Sequence, residues 1–193
     1  MTRNMPSMRK ARKPTGKSPV VFDLMPQFDI QISVEDEGWP DESVLLALSE
    51  KVLGAAAEFL AKEEGQPFPK MAPELSLVFT NDEAIKEINA EWRGKDKPTN
   101  VLSFPAFPLE PGGMPGPMLG DIVIARETVE REAVDLDKSF DDHLTHLLVH
   151  GFLHLFGYDH METHEAEEME ALETRILAGL GLSDPYAGQD PIV

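Results

Sequence analysis

Apolar and polar residues alternate at Phe28, Ile30, Ile32 and Val34, the two-residue period of a strand with one face buried. Leu75, Leu77 and Phe79 repeat that period and predict a second strand. Between them, Pro40, Asp41 and Glu42 open a helix, with proline and acids where a first turn favours them. Val44, Leu48, Val52, Phe59 and Leu60 lay an apolar stripe along it as far as Gly65. Thr80 or Asn81 caps a helix over 82–92, with Ile85, Ile88 and Trp92 on one face. A short strand over 100–104 runs into a loop over 105–117 crowded with proline and glycine. An apolar strand over 119–125 and a helix over 126–136 follow. Ser139 caps the next helix, where Leu144, Leu147, Leu148, Phe152, Leu153 and Leu155 bury most of its length. A last helix covers 162–180, ended by Gly179 and Gly181. Four strands mixed with five helices predict an α+β domain, a small mixed sheet packed with helices.

The 193 residues suit one domain with a real core. We place it at 20–182, between a basic leader over 1–19 and a tail over 183–193. The absence of cysteine removes disulfides and thiolate ligands and fits a reducing cytoplasm. No apolar run approaches the ~18 residues of a membrane span, so a soluble protein is expected. The net charge of −18 is unevenly spread. Arg3, Arg9, Lys10, Arg12, Lys13 and Lys17 lie in the acid-free leader, leaving 11 of the 17 basic residues to face all 35 acids. Such a leader fits a disordered basic tail or an upstream start codon better than an organelle transit peptide. A body this acidic repels nucleic acid at long range, so any RNA must meet a local basic site.

His150 and His154 are one helical turn apart and project from one helix face. Two neutral imidazoles at that spacing can hold a zinc-like ion. Gly157 ends the helix, the chain turns through Tyr158 and Asp159, and His160 closes as a third ligand. Three protein ligands leave a position for water, the mark of a catalytic site, so one zinc-like ion on three histidines is expected, although such ligands also accept nickel, copper and iron. The spacing is that of the metzincin proteases, except that Gly151 stands where they carry a general-base glutamate. His146, a further turn back, either orients a ligand or simply packs. Asp159 either acts as a base or fixes the turn, and His143 and His164 are expected as bystanders. The acids from Glu165 to Glu170 read as a solvated helix face.

Arg93, Lys95 and Lys97 cluster in a Gly- and Pro-bounded loop, the kind of place where binding groups sit on a scaffold. Arginine offers a planar fork of donors matched to phosphate oxygens. A solvated turn would carry the same charges, and the loop alone does not choose.

Taken together, the two stretches resemble the YbeY family of rRNA maturation factors. The resemblance rests on 150–160, on the run from Arg93 to Pro105, on Leu119-Gly120-Asp121-Ile122 and on the placement of His143 and His146. It covers roughly 28–180, and departs at Asn100, where the family often has Asp. It implies a metal-dependent endoribonuclease specific for single strands, acting in rRNA 3′-end maturation and ribosome quality control. By that likeness His150, His154 and His160 hold zinc and Arg93 is catalytic. It also implies precursor rRNA, small-subunit proteins and an assembly GTPase as partners, with no membrane and no DNA. Two rivals stand beside it: a metallopeptidase, and a non-catalytic assembly factor with a structural metal.

Overall fold

The computed structural model describes residues 26–187, and the expected leader over 1–19 lies outside them. In chain order the elements are β1 (Asp29–Val34), α1 (Glu42–Glu63), β2 (Glu74–Thr80), α2 (Asp82–Arg93) and β3 (Val101–Pro105). They continue with β4 (Met118–Ala125), α3 (Arg126–Asp135), α4 (Phe140–Leu155) and α5 (Thr163–Gly179).

The alternation seen in the sequence sets the sheet. Its strands run in the order β1-β2-β4-β3, with β1 and β4 parallel to β2 and β3 antiparallel to β4. Leu75, Leu77 and Phe79 point every second side chain into the larger core, joined by Ile122 and Ile124 of β4. α1, α4 and α5 cover that face. Val123 and Ala125 alternate to the opposite face, where Ile85 of α2 and Leu102 of β3 close a smaller core. The register between β2 and β4 shifts at Leu75, which pairs with Gly120 rather than Leu119. Gly120 sits at φ 146°, and a Cβ there would lie 2.2 Å from the Phe104 carbonyl oxygen, so the bulge admits only glycine.

Two sequence expectations shift. α1 buries Leu45, Val52, Leu53, Ala56, Ala57 and Leu60, while Val44 is 55% exposed. The buried positions repeat at three and four residues from Leu45, and the small alanines allow the helix to approach its neighbours. In α2, Ile85 is buried as expected, but Trp92 is 68% exposed. The capping expectations hold, and of the two candidates for α2 it is Asn81 whose side chain accepts from the Ala84 N–H. Ser139 accepts from the Asp142 N–H. Of the tail set at 183–193, residues 183–187 are described, and there Pro185 is buried.

Candidate metal centre

α4 is the element that positions the histidines. Leu144, Leu147, Leu148, Phe152, Leu153 and Leu155 are all 4% exposed or less, so the helix is held on several sides by α1, α5 and the sheet. His150 and His154 emerge from its least enclosed stripe, with Nε2 atoms 3.1 Å apart. Gly157, at φ 87°, reverses the chain, and a Cβ on it would lie 1.9 Å from the Leu109 carbonyl oxygen. The turn then returns an exposed His160, whose ring centroid is 5.6 Å from that of His150 and 5.1 Å from that of His154. One nitrogen from each of the three lies within 4.8 Å of the others, a set that could hold a metal ion.

The donor chemistry fits. Two imidazole nitrogens each about 2.0–2.1 Å from a tetrahedral zinc lie roughly 3.3 Å apart, close to the His150–His154 separation. Each helix histidine has its other side engaged. The Nδ1–H of His150 donates to Glu173 Oε1 at 2.7 Å, and the Tyr158 backbone hydrogen-bonds the His154 ring. These contacts leave the two Nε2 atoms turned toward a common point. Burial, and then the neighbouring His150 and His160 rings, lower His154 to about 4. At neutral pH it therefore offers a lone pair rather than a proton.

Glu173 is the residue that sequence reasoning passed over. It lies in α5, fully buried, and its second oxygen accepts from His146 Nε2 at 2.6 Å and from the Tyr186 hydroxyl. Burial pushes its carboxyl up, but the hydrogen bonds with His146 and His150 outweigh that and hold it at about 2. Burial, then the charge of Glu173, pushes the Tyr186 phenol far up, so it remains a donor. The signal was present: Ala166, Met169, Glu173 and Ile176 fall on one helix face, an acid in an apolar stripe. His146 thus reaches His150 through Glu173. His143 lies apart, bound at Nε2 to Glu132, which also accepts from Asn100. The acids at 165, 167 and 168 are exposed, as a solvated face requires.

Beside the histidines opens a cleft of about 630 Å³ lined by Arg93, Ser103, Leu109, His154, Tyr158, Asp159 and His160 among others. The end of α2 therefore brings Arg93 to the same cavity as two of the three histidines. Gly151 is packed against the sheet: a Cβ there would stand 2.9 Å from Ile122 Cγ2 and 3.0 Å from Ser103 Oγ. The glutamate of a peptidase has no room at that position. Among the described residues, no helix is long and apolar enough to cross a membrane.

Known proteins are similar in sequence to this chain. The family described as Endoribonuclease YbeY matches residues 32–181. An Endoribonuclease YbeY of Agrobacterium fabrum is 79% identical over 168 residues, spanning 87% of this chain and all of the relative. That of Rhizobium johnstonii is 75% identical over 166 residues, covering 86% of this chain and 97% of the relative. A match running from within β1 through α5, with such identity across whole relatives, leads to one conclusion: this chain belongs to the Endoribonuclease YbeY family.

Proposed function

We propose that the cleft is an endoribonuclease site that cuts single-stranded rRNA precursors near their 3′ ends, with His150, His154 and His160 as ligands of one zinc ion and Arg93 as the catalytic cation. The observation that carries this reading is the meeting of Arg93 with His154 and His160 in one cavity. A zinc ion held by His150, His154 and His160 would supply Lewis acidity to this cleft. Arg93 clamps a phosphate through its planar fork and offsets the negative charge that grows on it in the transition state. Glu173 fixes the His150 ring, and the Gly157 turn sets His160 opposite α4. The reaction takes place in the cytoplasm, with ribosomal small-subunit proteins and an assembly GTPase delivering the RNA to a strongly acidic body. The peptidase rival is disfavoured by the packing around Gly151.

The test is cleavage of a single-stranded rRNA 3′-end precursor by purified protein of known metal content, at fixed salt. Wild type is compared with folded His154→Ala and Arg93→Ala. Loss of cutting in both variants is expected. Equal cutting by all three would assign the activity to a contaminant, and cutting by none would favour an assembly factor that only docks. A 2′,3′-cyclic phosphate on the product would identify the RNA 2′-hydroxyl as the first nucleophile.

A further inference from the structure

We propose that Trp92 is a base-stacking platform at the rim of the cleft, which takes one unpaired nucleobase of the RNA whose backbone passes Arg93. The inference rests on the RNA-cleaving reading above and gives it a source of selectivity for single strands. Trp92 is the residue before Arg93 at the end of α2, and its 68% exposure is unusual for so large an apolar ring. The ring is not loose. It meets Phe104 of β3 in an edge contact, centroids 6.0 Å apart and planes at 61°. Phe104 in turn packs against the smaller core, its side chain alternating away from Ser103 and Pro105, which line the cleft. The indole is thereby held against β3 with much of its surface open, and the next residue, Arg93, lines the cleft.

The charges around it select the occupant. Arg126, Arg131 and Arg175 are all engaged with acids. Arg93, Lys95 and Lys97 are exposed and, among the described residues, carry no ion pair. Three uncommitted cations flanking one exposed indole, on a chain of net charge −18, suit a polyanion that also presents flat apolar faces. Unpaired RNA has both. A duplex keeps its base faces stacked inside and offers only phosphate.

Tryptophan emission provides the test, because the chain has two tryptophans and the other, Trp39, is 6% exposed with its N–H bound to the Thr80 carbonyl. Metal-loaded protein is titrated with a 2′-O-methyl oligoadenylate and with a blunt duplex of matched length. The single strand is expected to quench the exposed tryptophan and the duplex to leave it unchanged. Trp92→Ala should raise KM for single-stranded RNA by about 5- to 150-fold, the range for stacking one base, with kcat held within about twofold. Trp92→Phe should recover most of the loss, and thermal midpoints should stay together. Wild-type KM in a cutting Trp92→Ala protein would overturn the platform alone, as would equal quenching by duplex. So would a lowered midpoint with unchanged KM, which would make Trp92 a cover for Phe104. A wild type that neither binds nor cuts RNA would overturn the platform and the nuclease reading together.

Discussion

A carboxylate shut away from water decides how His150 presents its ring. Glu173 holds the Nδ1–H, so the lone pair on Nε2 is directed at His154. Such supports typically change metal affinity by about 10- to 100-fold. Glu173→Ala is therefore expected to weaken metal binding by that order, and Glu173→Gln, which keeps an acceptor, by less. Competition with a chromophoric chelator measures it, and unchanged affinity in a folded variant would reduce Glu173 to a packing role. At this scale the three histidines were legible because they are chemically distinct residues at ligand spacing, whereas Arg93 was singled out by the family resemblance and not by its loop. Glu173 was harder: it is 13 residues beyond His160 in sequence, and only the pairing of α5 with α4 brings it to His150.

Asn100, Glu132 and His143 join three elements. The Asn100 amide, just before β3, donates to Glu132 Oε2 of α3, which also receives His143 of α4. Burial raises the Glu132 carboxyl, but hydrogen bonds from His143 and Asn100 outweigh it and leave the group below its ordinary value. A depressed carboxylate adds stability above its unfolded pKa of about 4.3, lost as pH falls through the lower folded value. Glu132→Gln should then show a flatter loss of urea resistance below about pH 4.3 than wild type. With the Glu132 side chain 36% exposed, solvent screening keeps the difference under about 1 kcal/mol. Identical acid profiles would show that the link contributes nothing to stability. Apolar patterning, together with caps and turn residues, found each of these elements. It misjudged faces in α1 and at Trp92, since which stripe of a helix is covered depends on what lies across from it.

Over the whole molecule, the proposed function has an acidic body bind a polyanion through a small basic loop. RNA affinity should fall steeply with salt, by about 0.7 log units per tenfold salt for each phosphate contacted. Replacing Lys95 and Lys97 together by alanine should reduce that slope by about 1.4 if each meets one phosphate. Fluorescence anisotropy of a labelled single strand across a salt series gives the slope, and an unchanged slope would remove both lysines from the interface.

The chain by itself determined its elements, its caps, the glycine turn and the three-histidine spacing, because these depend on neighbours within a few residues. Hydrophobic period, left-handed turns and helical pitch are all local. Only the tertiary structure decided that Arg93 shares a cavity with His154 and His160, that Gly151 is walled in by Ile122 and Ser103, and that Glu173 reaches across to His150. Those are contacts between elements far apart in sequence. They are set by the order of strands in the sheet and by which helix face finds a partner.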